Sequence, residues 1–200
     1  MLQAANAGFL LGGSLIVAIG AQNAFVMRQG VLKAHIFWVC LFCSLCDAVL
    51  IWAGVFGLGV LIKAVPPLIP VMTYGGAAFL IWYGVKAFLR GLHPKGMGAN
   101  SETVGSLTSA LLSCAAFTLL NPHVYLDTVI LVGSIANARP DGEQVSFATG
   151  AALASFFWFF ALGYGAKALG PWLGQPRVWR VIDFCIAAVM LLLACKLLMG

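Results

Sequence analysis

Long apolar runs dominate the pattern of hydrophobic and polar positions along the chain. Six of them cover residues 5–27, 36–62, 67–89, 107–135, 146–169 and 179–199, separated by short stretches that contain glycine, proline or charged residues. A helix needs about 20 mostly apolar residues to cross the hydrocarbon core of a bilayer, and each run reaches that length. The pattern therefore predicts an all-α integral membrane protein with about six transmembrane helices.

The composition supports this prediction. Hydrophobic residues make up 62% and charged residues 8% of the 200 residues, whereas a soluble domain is typically about half apolar and about a quarter charged. The net charge of +5 does not indicate nucleic-acid binding, because the cations stand singly at the ends of apolar runs. We therefore expect the protein to be surrounded by membrane lipid and to bind no nucleic acid.

The polar connection at residues 91–106 divides the chain into two halves, residues 1–90 and 107–200, with three predicted helices each. Trp52 and Gly57 of the second predicted helix recur at the same spacing as Trp158 and Gly163 of the fifth. Because each half crosses the membrane an odd number of times, two copies must be inverted. Transporters with such repeats place the substrate site near the membrane midplane, on interrupted helices. We therefore expect two inverted three-helix repeats joined by a linker.

Basic residues orient the predicted bundle, because short cytoplasmic loops collect Lys and Arg. Most of them lie at the connections between predicted helices 1 and 2, 3 and 4, and 5 and 6, namely Arg28, Lys33, Lys86, Arg90, Lys95, Lys167, Arg177 and Arg180. Lys63, Arg139 and Lys196 fall on the other side. With six crossings, this bias predicts that both termini lie outside the cytoplasm. A bundle of five helices would place one terminus in the cytoplasm.

Two aspartates, Asp47 and Asp127, fall inside apolar runs. A carboxylate at the centre of a membrane helix costs roughly 2.5 to 3.5 kcal/mol on insertion scales, so one that is kept there is a functional candidate. The alternative is a buried carboxylate that only hydrogen-bonds a neighbouring helix. Both residues are predicted to contribute to substrate binding or proton coupling.

Polar residues also mark a predicted interruption in each half. Pro122 lacks a backbone donor and is expected to break the fourth helix and free carbonyl groups there, with Asn121 and His123 beside it. His123 lies one helical turn before Asp127, so both side chains are expected on one face. At the corresponding place in the first half, Gln22 and Asn23 follow Gly20, and their amides are expected to bind backbone groups of a substrate.

No metal-ligand spacing, phosphate-binding glycine loop or Ser/His/Asp order appears in the sequence. The sequence therefore predicts neither an enzyme nor a cofactor or metal site.

Four stretches, residues 19–26, 44–47, 120–127 and 178–200, together resemble the bacterial lysine/arginine exporter family, and the resemblance covers nearly the whole chain. The most specific stretch is NPHVYLD at 121–127, which is similar to the arginine exporter branch, whereas the C-terminal stretch is more similar to the lysine branch. The resemblance implies export of arginine, lysine or both across the bacterial cytoplasmic (inner) membrane. It also carries over Asp47 and Asp127 as the acidic residues of the family.

The sequence departs from the family pattern at two positions. Ala21 stands where members usually have proline in Gly-Pro-Gln-Asn, and Leu119 stands where a tryptophan often precedes Leu-Asn-Pro. The first departure predicts that the first helix is less sharply broken than the fourth. The second is expected to affect packing alone.

The sequence suggests an antiporter mechanism in which an inward proton and an outward substrate cation compete for Asp47 and Asp127. Three alternatives stay open at this point: a passive channel whose acids line a constriction, an exporter of neutral amino acids, and a structural subunit. The sequence leaves both a monomer and a homodimer open.

Overall fold

The computed structural model describes residues 1–17, 20–57, 68–92, 105–173 and 176–199. Every regular element in these ranges is helical. In chain order they are α1 (Leu2–Ile16), α2 (Ala21–Val31), α3 (Ile36–Val55), α4 (Leu68–Leu92), α5 (Leu107–Leu119), α6 (Pro122–Val124), a π-helix (Tyr125–Val132), α7 (Gly133–Asn137), α8 (Glu143–Leu173) and α9 (Pro176–Met199).

Each of the six predicted segments contains helix, and the first and fourth segments are interrupted. In the part of the chain that the structure describes, three helices are long and apolar enough to cross a membrane: α3, residues 143–170 of α8, and residues 180–199 of α9. A fourth span is added if α1 and α2 are taken as one bent crossing. The protein is therefore a multi-pass helical membrane protein, and the number of six crossings stays a prediction.

Several of the sequence predictions lie partly outside the described residues. These parts are positions 18–19 of the first predicted helix, 58–62 of the second, 67 of the third and 93–104 of the polar linker, together with Lys63 and Lys95 of the predicted topology.

Helix α8 is the centre of the bundle, because α1, α2 and α3 all pack against it. Small residues allow α1 to approach closely. A Cβ atom at Gly8 would collide with the carbonyl group of Phe147, and one at Gly150 would collide with the carbonyl group of Ala5. In a bilayer the hydrophobic effect does not drive helices together, because the lipid tails are as apolar as the side chains. Membrane helices instead associate through close backbone packing at small residues. The small-xxx-small pair of Gly8 and Gly12 therefore serves packing.

Helices α4 and α9 form the second large helix pair. A partly buried ion pair joins them, in which Arg90 Nη2 lies 3.2 Å from Oδ1 of the buried Asp183. The Arg90 guanidinium also lies over the ring of Tyr83, 5.7 Å from its centroid.

Helix α3 packs on its other side against α5, the π-helix and α7. Gly54 of α3 and Gly133 of α7 lie backbone to backbone there.

The outer surface carries large apolar side chains, as a lipid-facing surface requires. Exposed examples on five different helices are Leu10, Trp38, Val49, Leu112, Phe157 and Leu192.

Candidate functional site

The first segment is broken between Ile16 and Ala21. Gly20 is extended there (φ −119°, ψ 171°) and precedes the first residue of α2, and the axes of α1 and α2 differ by 83°. Alanine at position 21 does not prevent this break. Proline is favoured at the first helical position because its missing N–H is unpaired there anyway, but alanine, a good helix former, also fits.

Asn23 holds the two sides of this break together. Its Nδ2 donates a hydrogen bond to the carbonyl oxygen of Ile16 at 2.7 Å, and its Oδ1 accepts one from Trp158 Nε1 of α8 at 3.2 Å. The last carbonyls of a helix lack partners within the helix, and in a membrane they need another donor. Asn23 supplies that donor to Ile16, and Trp158 fixes the orientation of the amide.

The second break lies in the fourth segment, at the place that the sequence predicted. Helix α5 ends at Leu119 and α6 begins at Pro122. Asn121 Oδ1 accepts a hydrogen bond from the backbone N–H of His123 at 3.1 Å, and the Tyr125 hydroxyl donates one to the carbonyl oxygen of Leu119 at 3.1 Å. Both breaks therefore use a nearby polar side chain to satisfy a carbonyl group left by the interruption.

A π-helix follows the second break and carries Asp127. π-helical turns are rare and occur frequently at functional sites. The hydrophobic pattern of the sequence gives no signal for it.

Asp47 and Asp127 reach the site from different helices. Asp47 lies in the middle of α3, is only 4% exposed, and faces the buried hydroxyl group of Ser155 on α8. Asp127 is half-buried and interacts electrostatically with His123 and Lys196.

Both aspartates line one cavity of about 170 Å³. Its polar lining consists of Gln22, Asn23, Asp47, Asn121, His123, Asp127 and Thr128. Six of the seven residues that the sequence predicted for the site are therefore brought together. Pro122, the seventh, begins α6 between two of them.

A larger cavity of about 330 Å³ adjoins the first and shares Gly20, Ala21, Asn121, His123 and Asp127 with it. It extends between α4 and α9, where Gly76 and Lys196 line it. A Cβ atom at Gly76 would collide with the carbonyl oxygen of Leu120, so glycine allows α4 to approach the second break. The volume is at the lower end of the roughly 300 to 1,000 Å³ typical of ligand pockets.

An aromatic cluster borders the larger cavity. Phe79 and Phe117 line the cavity, and their ring centroids are 4.8 Å apart. Tyr83 and Phe25 pack against Phe117 at 5.1 and 5.5 Å. Sequence reasoning had no means to select these rings, because aromatic residues are frequent throughout the chain.

Sequence reasoning also missed Lys196 and Ser155 as neighbours of the two aspartates. Lys196 lies in the last turn of α9, and its position in the sequence indicates topology only. Ser155 is one of several small residues on the buried face of α8. Neither gives a sequence signal that it lies near a carboxylate of another helix.

The chemistry of the lining favours a small polar ligand with cationic groups. Two carboxylates attract cations, and amide groups donate and accept hydrogen bonds. Among the described residues, no group of three or more His, Cys, Asp or Glu side chains is arranged to hold a metal ion.

Comparison with known proteins identifies the family. The family model described as "LysE type translocator" matches residues 13–200. The putative amino-acid transporter YggA of Aeromonas salmonicida is 42% identical over 194 residues, which cover 96% of this chain and 94% of the relative. The arginine exporter protein ArgO of Pectobacterium carotovorum is 42% identical over 184 residues, covering 92% of this chain and 90% of the relative.

A third relative, the arginine exporter protein ArgO of Pectobacterium atrosepticum, is 43% identical over 185 residues, with 92% of this chain and 90% of the relative covered. No solved structure matches the chain. A family match over nearly the whole chain, together with helices that span a membrane, identifies a transporter and not an enzyme. The chain belongs to the LysE-type translocator family.

Proposed function

We propose that this protein exports arginine, lysine or both across the bacterial cytoplasmic membrane, in exchange for protons that move inward. The observation that carries the proposal is the placement of Asp47 and Asp127, from two helices, in the lining of one cavity at two helix breaks. The relatives named as arginine exporters favour a basic amino acid as the substrate.

A basic amino acid suits this cavity because it carries two cationic groups, the α-ammonium group and the side-chain end. Asp47 and Asp127 provide two carboxylates for them. Asn121, His123 and Gln22 lie around the same space and supply polar groups that bind and orient the substrate. Asn23 and Pro122 act through the backbone, since Asn23 bridges the first break and Pro122 begins the helix at the second.

Export of a monocation from a cell with a negative interior requires a driving force. The electrical work is roughly 2.3 kcal/mol per charge per 100 mV. Exchange of one substrate cation for one proton cancels this electrical work, because no net charge moves. A carboxylate that holds either the proton or the substrate cation, and never both, couples the two movements.

Alternating access by two inverted repeats, residues 1–90 and 107–200, belongs to the same proposal. The helix contacts support it. In the first half, α1 and α2 pack against α8 of the second half. Correspondingly, the π-helix and α7 of the second half pack against α3 of the first, and the last helices of the two halves, α4 and α9, pack against each other. The two breaks, at Gly20 and Asn121, are also counterparts and line the same two cavities.

Uptake of radiolabelled arginine and lysine into proteoliposomes preloaded with the unlabelled amino acid tests the proposal. We expect saturable counterflow of at least one of the two, stimulated by an imposed proton gradient. Flux without counterflow would point to a passive channel. Counterflow of neutral amino acids alone would contradict the assignment of a basic substrate.

A further inference from the structure

Lys196 lies in a cavity that is otherwise suited to cations. It lines the larger cavity together with Asp127, His123 and Asn121, and it is the one lysine or arginine among the described residues of that lining. A permanent positive charge beside the proposed carboxylates would repel a substrate cation. A site that binds only cationic groups does not explain why a lysine lies there.

We propose that Lys196 binds the α-carboxylate of the transported amino acid and so makes the cavity selective for substrates that carry this group. The inference rests on the proposed function, since it assigns one more contact to the same substrate.

The position of Lys196 supports this role. It lies in the last turn of α9 and interacts electrostatically with Asp127. It forms no direct ion pair with a carboxylate of the described part of the chain. Lys196 is exposed and lines the same cavity as Asp127 without pairing with it, so its ammonium group is available for the carboxylate of a ligand.

The charges of site and substrate also match. Arginine and lysine each carry two positive charges and one negative charge, and the two cavities offer Asp47, Asp127 and Lys196. With each aspartate facing a cationic group and Lys196 facing the carboxylate, every charge in the occupied site has a partner. Lys196 is exposed in the empty cavity, and a ligand that fills the cavity would cover its charge. A charge that is covered without a partner is unfavourable, so this match favours a complete amino acid over a simple diamine or guanidine.

Two other roles for a lysine at this place make different predictions. A cation at the C-terminal end of a helix interacts favourably with the helix dipole, and a long lysine side chain extends toward the membrane surface. Either role predicts an effect of substitution on stability or topology. Neither predicts a change in the preference among ligands.

The experiment compares arginine with agmatine, which is arginine without its carboxylate, as competitors of arginine counterflow in proteoliposomes. The variants are Lys196→Met and Lys196→Arg. The control is Lys86→Met, because Lys86 is exposed on α4 and lines neither cavity. Ligand-induced increases in melting temperature of the purified protein measure the same preference where counterflow is too slow.

We expect the wild type to prefer arginine over agmatine by at least about 10-fold, the size of a charge-assisted hydrogen bond. In Lys196→Met the affinity for arginine falls while that for agmatine is kept, so the preference is lost. Lys196→Arg and Lys86→Met keep the preference.

An active Lys196→Met variant with an unchanged preference, or with equal losses for both ligands, would overturn the role of Lys196 alone. A wild type that exchanges neither arginine nor lysine would instead overturn the proposed function, and this inference with it.

Discussion

Asp47 and Asp127 have different surroundings although both lie in apolar segments. Asp47 is enclosed between α3 and α8, with Ser155 as its polar neighbour. Asp127 is half-buried on the π-helix, and His123 and Lys196 lie near it. A substrate entering through the larger cavity therefore meets Asp127 first and Asp47 deeper in the protein.

The first prediction concerns these two carboxylates. Asp47→Asn and Asp127→Asn keep the shape of the side chain and remove its charge and its exchangeable proton. We expect both variants to fold and to lose proton-stimulated counterflow of arginine by at least about 10-fold, because one lost charge-assisted contact has an effect of that order.

Asp141→Asn is the control for this prediction, because Asp141 is exposed between α7 and α8. Melting temperatures in detergent establish that each variant is folded. Normal proton-stimulated exchange in both Asp47→Asn and Asp127→Asn would rule out the coupling role of the pair.

The second prediction concerns Asn23. Asn23→Ala removes the donor to the Ile16 carbonyl and the acceptor for Trp158. Leaving such groups without partners is expected to destabilise the protein by about 1 to 3 kcal/mol. Asn6→Ala, at an exposed position of α1, serves as the control. Thermal unfolding in detergent measures both, and equal melting temperatures would contradict a structural role of Asn23 at the break.

At the scale of elements, small residues set the distance between α1 and α8. Gly8, Gly12 and Gly150 each lie against backbone of the opposite helix. Gly13, next to Gly12, has open space where its Cβ would be. Helix packing therefore requires glycine at positions 8 and 12 of α1 but not at position 13.

The third prediction uses this contrast. Gly8→Ala places a methyl group against the Phe147 carbonyl and is expected to destabilise the protein by about 1 to 3 kcal/mol through overpacking. Gly13→Ala is expected to be neutral or to stabilise by up to about 1 kcal/mol, because alanine is the better helix former. Denaturant or thermal unfolding compares the two variants. A larger loss for Gly13→Ala would show that the described α1–α8 contact is wrong.

At the scale of the whole molecule, the arrangement of charge predicts the orientation in the membrane. Lys and Arg concentrate at three of the connections, so these are expected on the cytoplasmic side. With six crossings, both termini then lie on the opposite side.

The fourth prediction tests this orientation with reporter fusions. A green fluorescent protein fused after residue 199 is expected to be dark and alkaline phosphatase fused there to be active, because the first folds in the cytoplasm and the second outside it. Fusions after residue 95, in the polar linker, are expected to give the opposite result. A fluorescent fusion after residue 199 would indicate an odd number of crossings or the reverse orientation.

Much of the candidate site was predictable from the sequence because polar residues are costly in a bilayer. Asp47 and Asp127, and the amides around Gly20 and Pro122, stand out against apolar neighbours. Each had a physical reason to be selected without knowledge of the fold.

The sequence by itself determined the class of the protein, the six apolar segments and the place of the second break, since hydropathy and the missing N–H of proline act locally. Only the tertiary structure decided that residues of both halves line the same cavities, that the Arg90–Asp183 pair links α4 to α9, and that Lys196 lies near Asp127. These contacts depend on which faces of distant helices meet. Several helices here are apolar on all sides, so the hydrophobic pattern alone does not select those faces.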